Sequence, residues 1–490
     1  MKRTKQLLIT IVVALCCLSA YAQTNPYKTY TEKVPFAMPE MKAPQFANRT
    51  FNIADYGAKG DGTSLCTAAF AKAINELSAK GGGKLIVPQG VWFTGPIELK
   101  SNVNLHLEKG AVILFSGDET LYPIIKTSFE GLETRRCQSP LSANGATNIA
   151  VTGQGAIDGN GVCWRPLKRA KVTTSQWKKI TSQGGVFKRD DLWFPSKGYL
   201  KGDSLANMNV PQGITTEEEW ESIRKFLRPV MVSLVNCKNV LLQDVIFQNS
   251  PAWNIHPLMC ENIILDNLLV RNPAYAQNGD GLDLESCKNA LIVNCTFDAG
   301  DDGICIKSGK DADGRKRGIP CQNVVIDGCT VFQGHGGFVV GSEMSGGVKN
   351  ILVQNCQFLG TDVGLRFKSC RGRGGVVNNI FIKNISMFDI QADAVTFDLY
   401  YGGKSVVEVM ESGEQANNVD MRPVDETTPE FRDIYIENVV CRNANRALFF
   451  NGLPEKPIEN INLKNIHITA VKKSEFNNCK SIHQENVVTN

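Results

Sequence analysis

Asn239-Val-Leu-Leu-Gln-Asp-Val, Asn262-Ile-Ile-Leu-Asp-Asn-Leu, Asn289-Ala-Leu-Ile-Val-Asn, Asn323-Val-Val-Ile-Asp-Gly, Asn350-Ile-Leu-Val-Gln-Asn and Asn379-Ile-Phe-Ile-Lys-Asn share one pattern. Each opens on a turn-forming asparagine, continues as an alternating, mostly β-branched strand and ends on a second polar corner. Their starts are 23, 27, 34, 27 and 29 residues apart, lengths that suit one coil of a parallel β-helix with loops of unequal size. Leucine-rich repeats share this period range, but their leucine and asparagine framework and helical segment are missing. The pattern extends outward to Asn102-Val-Asn-Leu-His-Leu and Asn148-Ile-Ala-Val on one side. On the other side it reaches Asp433-Ile-Tyr-Ile-Glu-Asn and Asn460-Ile-Asn-Leu-Lys-Asn. A chain of 490 residues is long for one globular core, but a solenoid grows along one axis and escapes that limit. The expected fold is all-β: a single right-handed parallel β-helix over residues 49–470, with loop insertions.

The flanks fit that expectation. Cys66, Phe70, Ala73, Ile74 and Leu77 fall on one helical face, and Gly81-Gly82-Gly83 ends the helix. Such a helix caps the open end of a solenoid, where strand edges need covering. Residues 164–228 break the period and form an insertion beside the cylinder. Its segment 165–189 holds eight Lys or Arg and no acid; it reads as a solvated basic loop, with contact to an anionic ligand as the alternative. Thr216-Glu217-Glu218-Glu219 is a capping-box helix start. Residues 23–48 carry four prolines and read as an extended leader; residues 471–490 read as a C-terminal tail.

Residues 1–22 have the build of an export signal: a basic start, an apolar run over 7–18 and Ala20-Tyr21-Ala22 before Gln23. The run is too short for a comfortable membrane span, and Leu15 before Cys16 is a poor fit to a lipid-attachment site. The expected location is therefore periplasmic or extracellular. The formal charge of +4 includes Lys2, Arg3 and Lys5. About +1 remains without them, so no global attraction for nucleic acid or membrane is indicated. Fourteen of the 16 cysteines follow the signal. Cys237, Cys260, Cys287 and Cys321 recur at one corner of successive repeats, as small apolar residues stacked in the interior would. No Cys-x-x-Cys pair is present, which argues against structural zinc.

Four phrases carry candidate chemistry: Asn278-Gly279-Asp280-Gly281, Gly300-Asp301-Asp302-Gly303, Gly334-His335-Gly336-Gly337 and Arg366-Phe367-Lys368. Singly they are ordinary turn vocabulary. Asp280 to Asp301 is 21 residues, Asp302 to His335 is 33 and His335 to Arg366 is 31, each about one coil plus a loop. Four adjacent coils span roughly 15 Å at the 4.8 Å strand spacing. Three close carboxylates cannot all stay ionised, so at least one holds a raised pKa and supplies a general acid beside a general base. The flanking Arg366, Lys368 and His335 would be idle against a neutral sugar but suit one that bears carboxylates. Tyr401 lies about one coil further on and is a candidate to flank a sugar ring, with rim packing as the alternative. No metal and no cofactor is required. If the reaction inverts, the carboxyl of Asp301 should stand roughly 6.5–9.5 Å from Asp280 or Asp302.

The order Asn-x-Asp-Gly, Gly-Asp-Asp, Gly-His-Gly, Arg-x-Lys resembles the signature of glycoside hydrolase family 28, the polygalacturonases. The opening Gly57-Ala58-Lys59-Gly60-Asp61-Gly62 and Ser250-Pro251-Ala252-Trp253 also resemble that family. The resemblance implies a pectin-lyase-like solenoid that hydrolyses galacturonosyl linkages of pectin with inversion. It implies Asp301 as general acid and Asp280 and Asp302 as activators of water. His335 would tune the acid, while Arg366 and Lys368, with Asn278 and Tyr401 nearby, would hold galacturonate. Gly279 and Phe367 depart from the usual residues without removing a reactive group. Residues 310–318 and the run Gly341-Ser342-Glu343-Met344 resemble bacterial exo-acting members, whose loops wall off one end of the groove. The expected partner is an acidic polysaccharide or oligosaccharide and the expected state a monomer. Alternatives are an endo-polygalacturonase, a hydrolase of rhamnogalacturonan or xylogalacturonan, a calcium-dependent pectate lyase, and a non-catalytic carbohydrate-binding solenoid.

Overall fold

In the computed structural model, which describes residues 25–402 and 420–490, the six asparagines that open the repeats all have left-handed backbones, with φ between 55° and 60°. Asparagine tolerates this region because its short polar side chain bonds locally. Here the bonds run between coils. The Asn239 amide donates to Asn148 at 2.9 Å, Asn262 to Asn239 at 3.1 Å, Asn289 to Asn262 at 3.1 Å and Asn323 to Asn289 at 3.0 Å. Asn350 and Asn379 continue the ladder. Asn289→Ala breaks two rungs, at about 1 kcal/mol each, and strains an alanine in the left-handed region by about 1–2 kcal/mol. Urea unfolding of that variant should show a loss of about 3 kcal/mol, and Asn289→Gly should recover only the backbone part.

Behind each asparagine the strand pairs parallel with its neighbour one coil on. Val240, Ile263, Ala290, Val324, Ile351, Ile380 and Ile434 lie in register and are buried. The same pairing runs from Thr50–Asn52 to Cys479–Thr489 in one 30-stranded sheet wound as a right-handed β-helix. Phe367 belongs to an interior aromatic column, stacked on Phe397 at 4.3 Å, so its departure from the usual residue is a matter of core packing. The helix Thr67–Ala79 buries Phe70, Ala73, Ile74 and Leu77, as its periodicity predicts.

Three flanking expectations are corrected. The stretch read as a C-terminal tail is a further coil, with Cys479–Thr489 paired to Ile458–Lys472, because its Asn478 and Asn486 repeat the left-handed corners. The leader is a strap: Tyr27 and Met41 are buried against Leu241, Ile264, Leu291 and Val325, the outward apolar positions of successive strands. The 164–228 insertion is a folded unit rather than a solvated loop. It holds a small antiparallel sheet, helices Thr174–Thr181, Lys197–Leu205 and Glu217–Ser222, and a core of Trp164, Phe194, Tyr199 and Phe226. The proposed export signal, with Cys16, lies outside the described residues. Every cysteine among the described residues is a free thiol. No described helix is long and apolar enough to cross a membrane.

Candidate active site

Strands Leu282–Glu285, Asp302–Lys307, Gly336–Val340 and Leu365–Lys368 stack in parallel, with Leu282 paired to Ile304, Ile304 to Phe338 and Phe338 to Leu365. The four phrases therefore occupy four consecutive coils. Asp280, Asp301 and Asp302 each bring one carboxylate oxygen within 4.8 Å of the others. Their nearest oxygens sit closer than the 6.5–9.5 Å separation expected from an inverting reaction, because Asp280 and Asp301 lie one coil apart and Asp302 follows Asp301 directly.

Each carboxylate has a different surrounding. Asp301 accepts from the backbone N–H of Asp302 at 3.0 Å and faces His335 Nδ1 at 3.0 Å. Burial works to raise its pKa, but His335, Lys368 and Lys171 pull it well below the usual range. Asp302 is buried, with Lys368 Nζ donating at 2.6 Å and Arg366 Nη1 at 3.4 Å. Asp280 is buried with one oxygen lacking any hydrogen bond; burial, then Asp283 and Asp301, push its pKa far up. Burial and like charge thus favour the neutral form of Asp280, while the neighbouring cations favour the ionised form of Asp301. Arg366 and Lys368, read from sequence as grips for substrate, are turned onto Asp302 and lie 5.5 and 5.0 Å from the ring of Tyr401. Asn278 accepts from Arg228 at 2.6 Å and donates to Glu130 at 3.3 Å.

Sequence reasoning missed a second buried group beside these. Lys307 Nζ donates to Glu343 at 2.8 Å, stands 3.5 Å from Asp283 and lies 4.5 Å over the ring of Trp253. Burial opposes its charge, but acidic neighbours including Glu343 and Asp283 hold its pKa well above the usual lysine range. Burial likewise raises Asp283. Buried lysines leave no periodic trace in a sequence, although the Asp280 and Asp283 spacing was a usable signal. The basic insertion was also underestimated: Lys171 Nζ reaches 3.3 Å from His335 Nε2.

The wall of the site was missed as well. Ile124–Phe129 and Leu132–Cys137 form an antiparallel hairpin. Glu130 and Gly131 at its turn both have positive φ, 49° and 76°, as a two-residue hairpin turn requires. Its tip crosses the cleft. Gly131 O accepts from the Lys310 N–H at 3.1 Å, Asp313 accepts from the Glu133 N–H at 3.0 Å, and Glu130 accepts from Asn209 at 2.8 Å. On one side of the hairpin is a cavity of about 380 Å³ that contains the three aspartates, His335, Lys368 and Tyr401. A separate hollow is lined by Thr127 and Arg135 of the hairpin together with Ser233 and Leu258 of the preceding coils. The pattern around Phe129-Glu130-Gly131-Leu132 was legible as a hairpin, but it lies in the long gap between two repeats.

Comparison with known proteins agrees with this geometry. Residues 221–489 match the sequence profile of the glycosyl hydrolases family 28. The chain is 29% identical over 459 residues to an exo-poly-α-D-galacturonosidase of Dickeya chrysanthemi, covering 88% of this chain and 70% of that protein. It superposes on the crystal structure of a hyperthermoactive exopolygalacturonase from Thermotoga maritima with TM-score 0.75 and 34% identity, over 92% of this chain and 94% of that one. A family 28 exopolygalacturonase of Yersinia enterocolitica shares the fold at 23% identity, TM-score 0.70, over 90% and 76% of the two chains. With its β-helix, its carboxylate cluster and these matches, the chain belongs to glycosyl hydrolases family 28.

Proposed function

We propose that this protein removes terminal galacturonate from α-1,4-linked galacturonan by hydrolysis, acting outside the cytoplasm as a monomer. The observation that carries the reading is three carboxylates and a pair of cations in a cleft closed at one end. Substrate enters from the open side, where Arg366, Lys368 and Tyr401 receive the galacturonate of the leaving group. Its carboxylate shares Lys368 and Arg366 with Asp302 and offsets part of their charge, so the pull on Asp301 weakens and its pKa rises. The cluster proton then moves from Asp280 to Asp301, the two being near neighbours, and Asp301 delivers it to the glycosidic oxygen. Asp280, now ionised, takes a proton from the attacking water, which Asp302 helps to align, so attack is direct with inversion and the cluster regains its proton. His335 and Asn278 hold Asp301 and the cleft edge in place. Close carboxylates are also the spacing of retaining enzymes, but here Asp302 is gripped by two cations and Asp301 by His335. A lyase reading would need Asp302 oxygens open to calcium, and Lys368 occupies one of them.

One digestion of unesterified polygalacturonate tests this. Monomer should dominate from the first minutes, with the inverted anomer appearing first by NMR, no ultraviolet-absorbing unsaturation, and no inhibition by EDTA. An early ladder of oligomers would refute terminal action, and an unsaturated, EDTA-blocked product would refute hydrolysis. Replacing 129–132 by a shorter turn should open the wall and let oligomers appear.

A further inference from the structure

We propose that Lys310 receives the carboxylate of the terminal sugar at the closed end, so that the cleft grips an acidic residue on each side of the bond it cuts. The inference rests on the terminal-galacturonate reading above and adds the group that would select an acidic terminus. Lys310 is 7% exposed and lines the cleft, yet its ammonium has no hydrogen bond or ion pair with any described residue. The other cations around it are engaged. Lys307 holds Glu343 and Asp283, Arg373 holds Asp311, Arg228 holds Asn278 and two backbone carbonyls, and Lys368 holds Asp302.

The stem of Lys310 is buried while its ammonium keeps access to the cleft, where it faces no counter-charge of a described residue within ion-pair distance. A ligand anion at that point supplies the missing partner. The mounting is rigid: the Lys310 N–H donates to Gly131 at the hairpin tip and its carbonyl accepts from Gly314 at 3.0 Å. The lysine therefore stands at the foot of the wall, where the last sugar of a chain must stop. Glu343 forms its ion pair with Lys307 at 2.8 Å and feels Lys310 only beyond ion-pair distance, so the Lys310 ammonium remains available to a ligand anion.

The test compares digalacturonate with the same disaccharide methyl-esterified on its non-reducing residue. Wild-type protein should prefer the free acid by about 10- to 100-fold in kcat/KM, the worth of one charged hydrogen bond. Lys310→Met should bring that preference to near unity by losing activity on the acid alone, and Lys310→Arg should keep it. Equal losses on both substrates would make Lys310 structural and overturn the proposal, as would a Met variant that retains the preference. Melting temperatures of both variants check that they are folded. If the wild-type protein releases no monomer from polygalacturonate, the terminal-action reading fails first and takes this proposal with it. Monomer release with no acid preference overturns only Lys310.

Discussion

Asp301→Asn is expected to lower kcat on polygalacturonate by about 10²- to 10⁴-fold, the usual worth of a positioned general acid. The amide keeps the size of the carboxyl and an oxygen that accepts from the Asp302 N–H, so melting temperature and KM should hardly change. The pH profile separates this effect from simple damage. In the wild-type protein the rate should fall as rising pH strips the proton exchanged between Asp280 and Asp301, a step that burial of Asp280 displaces upward. It should fall again at low pH, when a second proton silences the carboxylates that activate water. Such limbs belong to the cluster as a whole. The Asn variant should retain the acid limb and lose the alkaline one. A variant that keeps a tenth of its activity would remove Asp301 from the role of acid, and a carbohydrate-binding solenoid would have no turnover to lose.

Lys307→Met should destabilise the protein by about 3–5 kcal/mol, the cost of leaving buried acids without their cation. Methionine fills the space over Trp253, so the loss reports charge rather than volume. The direction with pH follows from the partners. Burial raises Glu343, but Lys307, Lys310 and Arg373 outweigh it and hold its pKa below its ordinary 4.5. A depressed carboxylate contributes stability above its unfolded pKa that is lost as pH falls towards the folded one. Lys307, held high, contributes below its unfolded pKa and is lost only in strong base. Without Lys307 the depression of Glu343 is lost and protonation relieves its buried charge, so the stability gap between variant and wild type should narrow as pH falls. Urea denaturation at neutral and mildly acid pH measures both effects, and an unchanged midpoint would show that the buried group contributes nothing net.

What the sequence disclosed follows from what repeats. Left-handed corners demand Asn or Asp, so the coils announce themselves, and four phrases one coil apart announce a common site. Lys171, Glu130 and Lys310 were illegible because they arrive on excursions whose docking no period dictates. The folded insertion looked like a charged loop because its core residues, Trp164 and Tyr199 among them, are scattered among lysines. Arg366 and Lys368 lie beside the aspartates, but their grip on Asp302 depends on side-chain reach, which spacing does not encode. That Asp280 is pushed towards its neutral form depends on burial beside Asp283, which spacing along the chain does not encode.

The stacked thiols have a consequence of another kind. Cys237, Cys260, Cys287 and Cys321 mark one corner of four successive coils, and Cys295, Cys329 and Cys356 mark another corner of overlapping coils. Burial pushes the Cys321 thiol up to about 12, so a closed coil is inert to alkylating reagents and an opened one reacts as an ordinary cysteine. The protein thus carries its own calibrated ruler of local opening. Mass spectrometry of pulse-alkylated peptides can rank the coils around the cleft by the ease with which each one breathes.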